Sequence, residues 1–381
     1  MPLPRLPESP PRWWPGFSSP LHSVAVTARV GRVLGIAFAL CFATGLLSSY
    51  QYAPWSWLPE PASPVWGYRL TQGVHVVTGI ACIPLLLVKL WSVYPRLWEW
   101  PPARSAVHAL ERLSIAVLVA AALTEVTTGF VNILDWYPWT FSFVAVHHYL
   151  AFVVAGALML HIAVKLPAIR AGLATRVPIR GDVESGAGLS RRGLLLAAAA
   201  GVTTLVVTTV GQTFTPLQRL ALLAPRRPDE GPLGLPINRT AGEAGVLDSA
   251  LASTWQLTVL GPRPFRLDLA AFEALPAVER DFPLACVEGW SASAHWRGPL
   301  LLDLVRRAGG DEASRVRVTS LEQAGAYRSS EVFGPQLAEA LLATHLNGQR
   351  IPLDHGYPTR LIAPDRAGVL NTKWLTMVEI T

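Results

Sequence analysis

Cysteine is rare in this chain. Its three residues, Cys41, Cys82 and Cys286, cannot build a disulfide framework, so thiol usage leaves the redox compartment open. The C-terminal part has no Walker loop, no dinucleotide fingerprint and no zinc-ligand spacing, which removes the nucleotide and structural-zinc readings. Charged side chains make up only 15% of the sequence, against 51% hydrophobic. The net charge is +6, but the basic residues of the first half cluster between apolar runs. That pattern points to a bilayer and not to nucleic acid.

What is present before residue 213 is apolar length. Segments near 31–49, 70–91, 113–134, 143–166 and 194–212 are each long enough to cross a bilayer. Basic residues alternate between the connections. Arg5, Arg12, Arg29 and Arg32 precede the first segment, Lys89, Arg96, Arg104 and Arg112 surround the second connection, and six more from Lys165 to Arg192 fill the fourth. The positive-inside rule then puts the N-terminus in the cytoplasm and everything after the fifth span outside. Trp55, Trp57, Trp136 and Trp139 fall on the two outer connections, as an interfacial aromatic belt would.

The expected organisation is a cytoplasmic segment (1–29), a four-helix membrane domain (30–167), a cytoplasmic loop (168–192), a fifth span (193–213), a linker (214–236) and an exterior domain (237–381). Ser190-Arg191-Arg192, at the head of the fifth span, resembles a twin-arginine export signal. Such a signal suits a domain that folds around a cofactor before export.

Imidazoles inside a bilayer are costly and point to function. His75 lies on the second segment, His147, His148 and His161 on the fourth, and His108 just ahead of the third. His147 and His161 are about 21 Å apart along a helix and close to one face of it; His148 is rotated away and is the alternate. By depth, His75 pairs with His147 near one membrane surface and His161 with His108 near the other. Such pairs can supply axial ligands to one or two b-type haems. The plainer alternative is that these side chains tie helices together by hydrogen bonds. Residues 30–167 resemble the membrane cytochromes b of the b561 and hydrogenase or formate-dehydrogenase group, in which one helix carries two ligands. The first span departs from that group in having no histidine.

A Pro/Gly-rich run, APRRPDEGPLGLP (224–236), reads as a linker. Beyond it WQLTVLG (255–261), RVRVTS (315–320), TRLIAP (359–364) and KWLTMVEIT (373–381) read as strands. PLLLDLVRRAGG (299–310) and PQLAEALLATHLNG (335–348) read as helices ending at glycine. The expected fold is therefore multi-domain: an all-α bundle of five spans followed by an α+β domain. Cys286 sits between an apolar, strand-like segment and a tryptophan-rich turn. Taken alone, it reads as a small buried apolar residue.

Its neighbours change that reading. CVEGWSASAHWRGPLLLDLV, AYRSSEVF, LLATHLNGQRIPLDHGYPTRLIAP and GVLNTKWLTMVEI come in the order of the sulfite-oxidase family of molybdenum enzymes, and the chain resembles that family over most of 233–381. LPINRTA is similar to the family's first pterin-contacting segment. The resemblance implies a molybdopterin cofactor with Cys286 as the molybdenum ligand, a thiolate being a soft donor suited to such a metal. It implies Tyr327 as the active-site tyrosine. It also implies that Asn238, Arg239, Trp296, His355, Gly356, Arg360 and Lys373 form the cofactor pocket, with Arg360 and Lys373 as cations for an anionic pyranopterin.

True sulfite oxidases have Cys-Ala-Gly-Asn-Arg and an arginine-rich anion pocket. CVEGWS looks more like the periplasmic methionine sulfoxide reductase branch. Asn238 stands where a substrate-binding arginine is expected, and Glu288 is placed among the catalytic residues, where its charge should repel a dianion such as sulfite.

The expected activity is that of a multi-pass, membrane-anchored molybdoenzyme with its catalytic domain on the extracytoplasmic side. It would draw electrons from the quinone pool through b haems and remove oxygen from a small-molecule or protein-bound S-oxide or N-oxide. The alternatives are a sulfite-type dehydrogenase that reduces quinone, and a non-enzymatic membrane cytochrome with a degenerate exterior binding module.

Overall fold

The computed structural model describes residues 22–55, 57–134, 136–175, 191–211, 215–224, 226–227 and 230–381. The expected cytoplasmic segment up to residue 21, residues 176–190 of the expected loop, and Ser190 of the twin-arginine-like run lie outside these. The chain divides into two compact units, one of Met1–Ala43 with His75–Thr209 and the other of Thr44–Val74 with Val210–Thr381.

Five helices come first: α1 (Val24–Tyr52), α2 (Gly67–Leu97), α3 (Ala106–Ile133), α4 (Phe143–Ala174) and α5 (Arg191–Val210). All five are long and apolar enough to span a membrane. They coincide with the five expected apolar runs. Ile36, Leu40, Val107, Leu110, Met159 and Leu160 face outward, the reverse of a water-soluble core and what a lipid solvent favours. Apolar packing and a few polar contacts join the helices of the first unit. Val26, Val30 and Leu194 join α1 to α5. Arg29 of α1 donates to the carbonyls of Gly172 and Thr175 at the end of α4, at 3.3 and 2.7 Å. That end would otherwise leave carbonyls without donors, and a cation there also complements the helix dipole.

The C-terminal domain opens with a short helix, α6 (Leu247–Leu251), then β1 (Gln256–Leu260), β2 (Phe265–Asp268) and α7 (Leu269–Glu273). Asp268 caps α7 by accepting from Ala271 N at 2.8 Å. Next come β3 (Val278–Ala285), β4 (Ser291–Gly298), α8 (Leu301–Arg307), β5 (Val316–Ser320) and β6 (Ser329–Val332). The chain finishes with α9 (Pro335–Glu339), β7 (Leu341–Ala343), β8 (His345–Leu346), β9 (Gln349–Arg350), β10 (Arg360–Ile362) and β11 (Leu375–Ile380). One sheet runs β2-β1-β11-β5-β6, with only β1 and β11 parallel. A second runs β3-β4-β8-β9, and β10 pairs with β7.

Two cores follow from these sheets. In the first, Leu257, Val259, Val316 and Val318 of the five-stranded sheet meet Phe272 of α7 and Leu301 and Val305 of α8. Alternate residues of β1 and β5 point inward, as a half-buried strand requires. The second core joins Phe282, Cys286, Trp290, Trp296, Leu341 and Leu346. Cys286 thus belongs to a packed core as well as to a site.

The expected helix over 335–348 forms only as far as Glu339. Ala340 is extended (φ −68°, ψ 137°), and the next three residues, all buried, pair with β10. Helix-forming Leu and Ala residues become a strand here because β10 offers backbone partners and both faces are buried. Tertiary context overrides propensity.

Gly298 ends β4 where the strand meets β7. A Cβ there would lie 2.1 Å from the Leu342 carbonyl oxygen, which is backbone and cannot swing aside. Gly298→Ala should therefore destabilise the domain by about 1–3 kcal/mol, the usual cost of overpacking. The check is the urea midpoint of the detergent-solubilised protein followed by tryptophan emission; an unchanged midpoint contradicts the close approach.

Candidate active site

The β3–β4 hairpin positions the cysteine. Ala285 pairs with Ser291, leaving 286–290 as the connection. The turn is tight: Cys286 N donates to Trp290 O at 2.9 Å and Gly289 N to Cys286 O at 3.1 Å. Glu288 reaches sideways, accepting from Trp290 Nε1 at 2.9 Å and from Arg226 Nε at 2.8 Å. Arg226 also donates to the Ile237 and Asn238 carbonyls, at 2.6 and 3.4 Å. One guanidinium therefore pins the linker, and Asn238 with it, to the cysteine turn.

Cys286 lines a cleft of about 10 Å³ together with Asn238, Trp290, His355, Arg360 and Lys373. Only about one water molecule fits such a volume, so a larger ligand has to part the walls. Arg360 begins β10 and is 2% exposed. Its Nη1 and Nη2 donate to the His355 and Asn371 carbonyls, at 3.1 and 2.9 Å, and its Nε has no partner. Burial pulls its pKa down to about 9. Lys373 Nζ donates to the carbonyls of Arg239 and Asp354, at 2.8 and 2.9 Å. Burial first, and then the Arg360 charge, push Lys373 down to about 7. Among the described residues no carboxylate forms an ion pair with either cation.

His355 is fully buried. Its Nε2 faces two carbonyls, Pro232 and Leu235, both at 3.1 Å, so this nitrogen carries the proton. Burial pushes its pKa down to about 4, with the Arg360 and Lys373 charges acting the same way. Gly356, at φ +111°, has a backbone that favours glycine, and a Cβ there would lie 3.0 to 3.2 Å from atoms of Arg360 and Lys373. Glycine is what lets the two cations approach.

The remaining expected residues stand back from the cleft. Trp296 is fully buried beneath it, with its indole donating to Phe282 O at 3.2 Å and the Arg360 guanidinium 5.5 Å from its ring. Arg239 turns its side chain to Glu322, at 3.0 Å. Tyr327, 36% exposed, meets Tyr52 edge-on at 6.2 Å between ring centroids. Glu288 is buried and its charge is met by Arg226, so the expected repulsion of a dianion by an uncompensated carboxylate does not arise. No local sequence signal pairs Arg226 with Glu288, 62 residues away.

The segment Thr44–Val74, which belongs to the same unit, brings further groups. Tyr68 is buried against Ala285 and Ala367. Gln72 Nε2 donates to the carbonyl of Val287, next to the cysteine, at 3.1 Å. Tyr52, Tyr68 and Gln72 lie on an apolar run over 200 residues from Cys286, and nothing in their own neighbourhood signals this role.

In the first unit, His75 and His147 meet with ring centroids 6.2 Å apart and planes at 88°. His75 Nδ1 lies 2.9 Å from the Cys41 carbonyl oxygen. His147 is engaged by α3, with Nδ1 3.3 Å from Thr128 Oγ1 and Nε2 3.2 Å from Glu125 Oε1. His148 turns to Tyr149 and Phe152. His161 leaves Nδ1 unpaired, and His108 Nδ1 accepts from Arg104 N at 3.1 Å. No ring contact or hydrogen bond joins His161 to His108 among the described residues.

Residues 244–381 match the family described as oxidoreductase molybdopterin binding domain. Human mitochondrial sulfite oxidase is 30% identical over 101 residues, 24% of this chain and 18% of that protein. The catalytic subunit of protein-methionine-sulfoxide reductase, MsrP, from Gluconobacter oxydans is 30% identical over 144 residues, 33% of this chain and 46% of its own. The putative protein-methionine-sulfoxide reductase subunit YedZ1 of Azospira oryzae is 29% identical over 114 residues, 30% of this chain and 43% of its own. The chain thus spans less than half the length of each.

Lys373 carries a pH prediction. In the cofactor-free protein its pKa falls from 10.5 to about 7, so the unfolded chain binds more protons across that window and stability rises with pH through it. The unfolding midpoint should climb between about pH 7 and 10.5, and Lys373→Met should flatten the climb. Equal slopes in the two proteins would remove the buried, unpaired ammonium.

Proposed function

We propose, on the premise that residues 244–381 form a molybdopterin-binding oxidoreductase domain, that this chain reduces an S-oxide or N-oxide such as methionine sulfoxide at that domain, with electrons from the quinone pool. One observation carries the cofactor reading: a buried thiol shares a cleft with the buried Arg360 and the half-buried Lys373, and among the described residues neither cation forms an ion pair with a carboxylate. The donor set fits the group. Cys286 offers one soft ligand, Arg360 and Lys373 meet an anionic pterin with charge-assisted bonds, and Asn238 adds a neutral polar contact. The bound cofactor supplies two-electron oxo transfer.

The chain's own residues do the rest. Arg226 and Glu288 hold the cysteine turn and Asn238 in place. His355, neutral at physiological pH, fixes the linker carbonyls and supports Arg360. Gly356 and Trp296 shape the cation pair, and Arg239 supplies the carbonyl that holds Lys373. Tyr327, exposed and in edge-on contact with Tyr52, presents its hydroxyl where substrate would enter. The MsrP and YedZ1 relatives support a sulfoxide as substrate.

In the membrane unit, His75 and His147 are the proposed ligands of one b haem. The contact of the two rings on neighbouring helices, 6.2 Å between centroids, supports that pairing. His147 would release Nε2 from Glu125 to ligate. His161, with its unpaired nitrogen, and His108 are the proposed ligands of a second haem, and His148 is the alternate on α4. A haem held there would supply one-electron steps between quinone and the C-terminal domain, which we place on the extracytoplasmic side.

A second reading is sulfite-type oxidation with electrons passing to quinone. It is favoured by the sulfite oxidase relatives and by the Arg226–Glu288 pair, which removes the charge expected to repel an anion. One spectroscopic experiment separates the two. Dithionite-reduced b bands of the purified protein should reoxidise on adding methionine sulfoxide; reduction of oxidised bands by sulfite would instead establish the reverse flow.

Two substitutions test the parts. Cys286→Ser should abolish turnover and leave the haem spectrum intact, so wild-type activity in that variant sinks the molybdenum assignment. His147→Ala should lower the haem-to-protein ratio by at least one haem, and an unchanged ratio refutes the ligand pair.

A further inference from the structure

A second cavity, of about 200 Å³, lies within the unit formed by Thr44–Val74 and Val210–Thr381. Tyr52, Pro54 and Glu60 line it from the first segment, and Phe333, Arg366 and Leu370 from the second. Cys286 and the cations of its cleft are not among its walls. Two of its polar residues are deeply buried, Arg366 at 5% exposure and Glu60 at 4%. Arg366 Nη2 donates to the Glu331 carbonyl at 3.1 Å, while its Nε and Nη1 have no partner, nor has Glu60 Oε1.

The nearby carboxylates are committed elsewhere. Glu331 pairs with Arg315 and Arg317, at 3.1 and 2.8 Å. Asp365 Oδ1 accepts from the backbone N–H of Tyr68 and from Gln51. Burial holds Glu60 up near 9 and draws Arg366 down to about 10. At neutral pH the first is therefore a neutral donor and the second a cation. A buried guanidinium with unspent donors is costly until an acceptor reaches it. A cation is repelled there, and a small inorganic ion leaves the apolar flank of Pro54, Phe333 and Leu370 empty.

We infer that this cavity binds a small organic monocarboxylate, its carboxylate on the unpaired donors of Arg366 and the Glu60 carboxyl, and its apolar end against Phe333, Leu370 and Pro54. The inference needs neither molybdenum nor haem. Tyr52 lines the cavity and its ring meets that of Tyr327 edge-on, so the occupant lies one side chain from the proposed active-site tyrosine.

Calorimetric titration of the full-length protein in detergent with benzoate tests it, with benzamide as the neutral isostere. Benzoate should bind at one site and benzamide at least about tenfold more weakly, the loss of a charge-assisted contact. Arg366→Gln should cost benzoate about tenfold, whereas Glu60→Gln, which keeps a donor, should leave its affinity within about threefold. Leu370→Trp, which fills the space without touching the charge, should abolish binding. Equal affinity for benzoate and benzamide, no saturable benzoate binding, or wild-type affinity in Leu370→Trp overturns the site, and the first two hold even if Arg366→Gln fails to fold.

Discussion

Two enclosed cations, neither of them ion-paired with a carboxylate among the described residues, set the terms for the C-terminal domain. Arg360 and Lys373 are held by four backbone carbonyls, those of His355, Asn371, Arg239 and Asp354. Carbonyl dipoles orient a charge, but they do not neutralise it, so the fold carries a standing electrostatic cost at this point. The local architecture is arranged around holding that charge in place. β10 starts on Arg360, Gly356 lets the two side chains approach, and the linker is tied down through His355. An anionic ligand would offset the cost, which makes the cleft preorganised rather than merely polar.

The cysteine turn is fixed by a different device. Arg226 comes from the linker and binds Glu288 two residues beyond the thiol, together with the carbonyls of Ile237 and Asn238. The arrangement makes the position of Cys286 depend on a segment 60 residues away. Thr44–Val74 adds a third support: Gln72 binds the Val287 carbonyl, and the Tyr68 amide and Gln51 bind Asp365. The C-terminal end of α1 and the N-terminal end of α2 are therefore part of the cleft's surroundings.

Among the helices, polar contacts are few and specific. His147 is held by Thr128 and Glu125 of α3, and His75 by the Cys41 carbonyl of α1. Where the solvent is lipid, packing apolar side chains gives little preference for one helix neighbour over another. Hydrogen bonds and ion pairs of this kind then carry much of the burden of specifying which helices meet.

Apolar length and the alternation of basic residues were enough to locate all five membrane-capable helices, because bilayer thickness imposes a linear requirement that a sequence displays directly. Strands β1, β5, β10 and β11 were legible from their residue types, and Cys286 was singled out by the ordered motifs around it. The convergence of Cys286, Asn238, His355, Arg360 and Lys373 on one cleft agrees with those motifs.

Other features lay beyond a linear reading. The strand β7 was hidden in a helix-like run because its pairing partner lies in β10. Nothing in the sequence joined Arg226 to Glu288, and nothing singled out Tyr52, Tyr68, Gln72 or Glu60. Each acquires its role from a neighbour distant in the chain, and local pattern records only what a residue's own segment requires. Charge neutralisation, strand pairing and the enclosure of Arg366 are long-range events, so only the tertiary structure decides them.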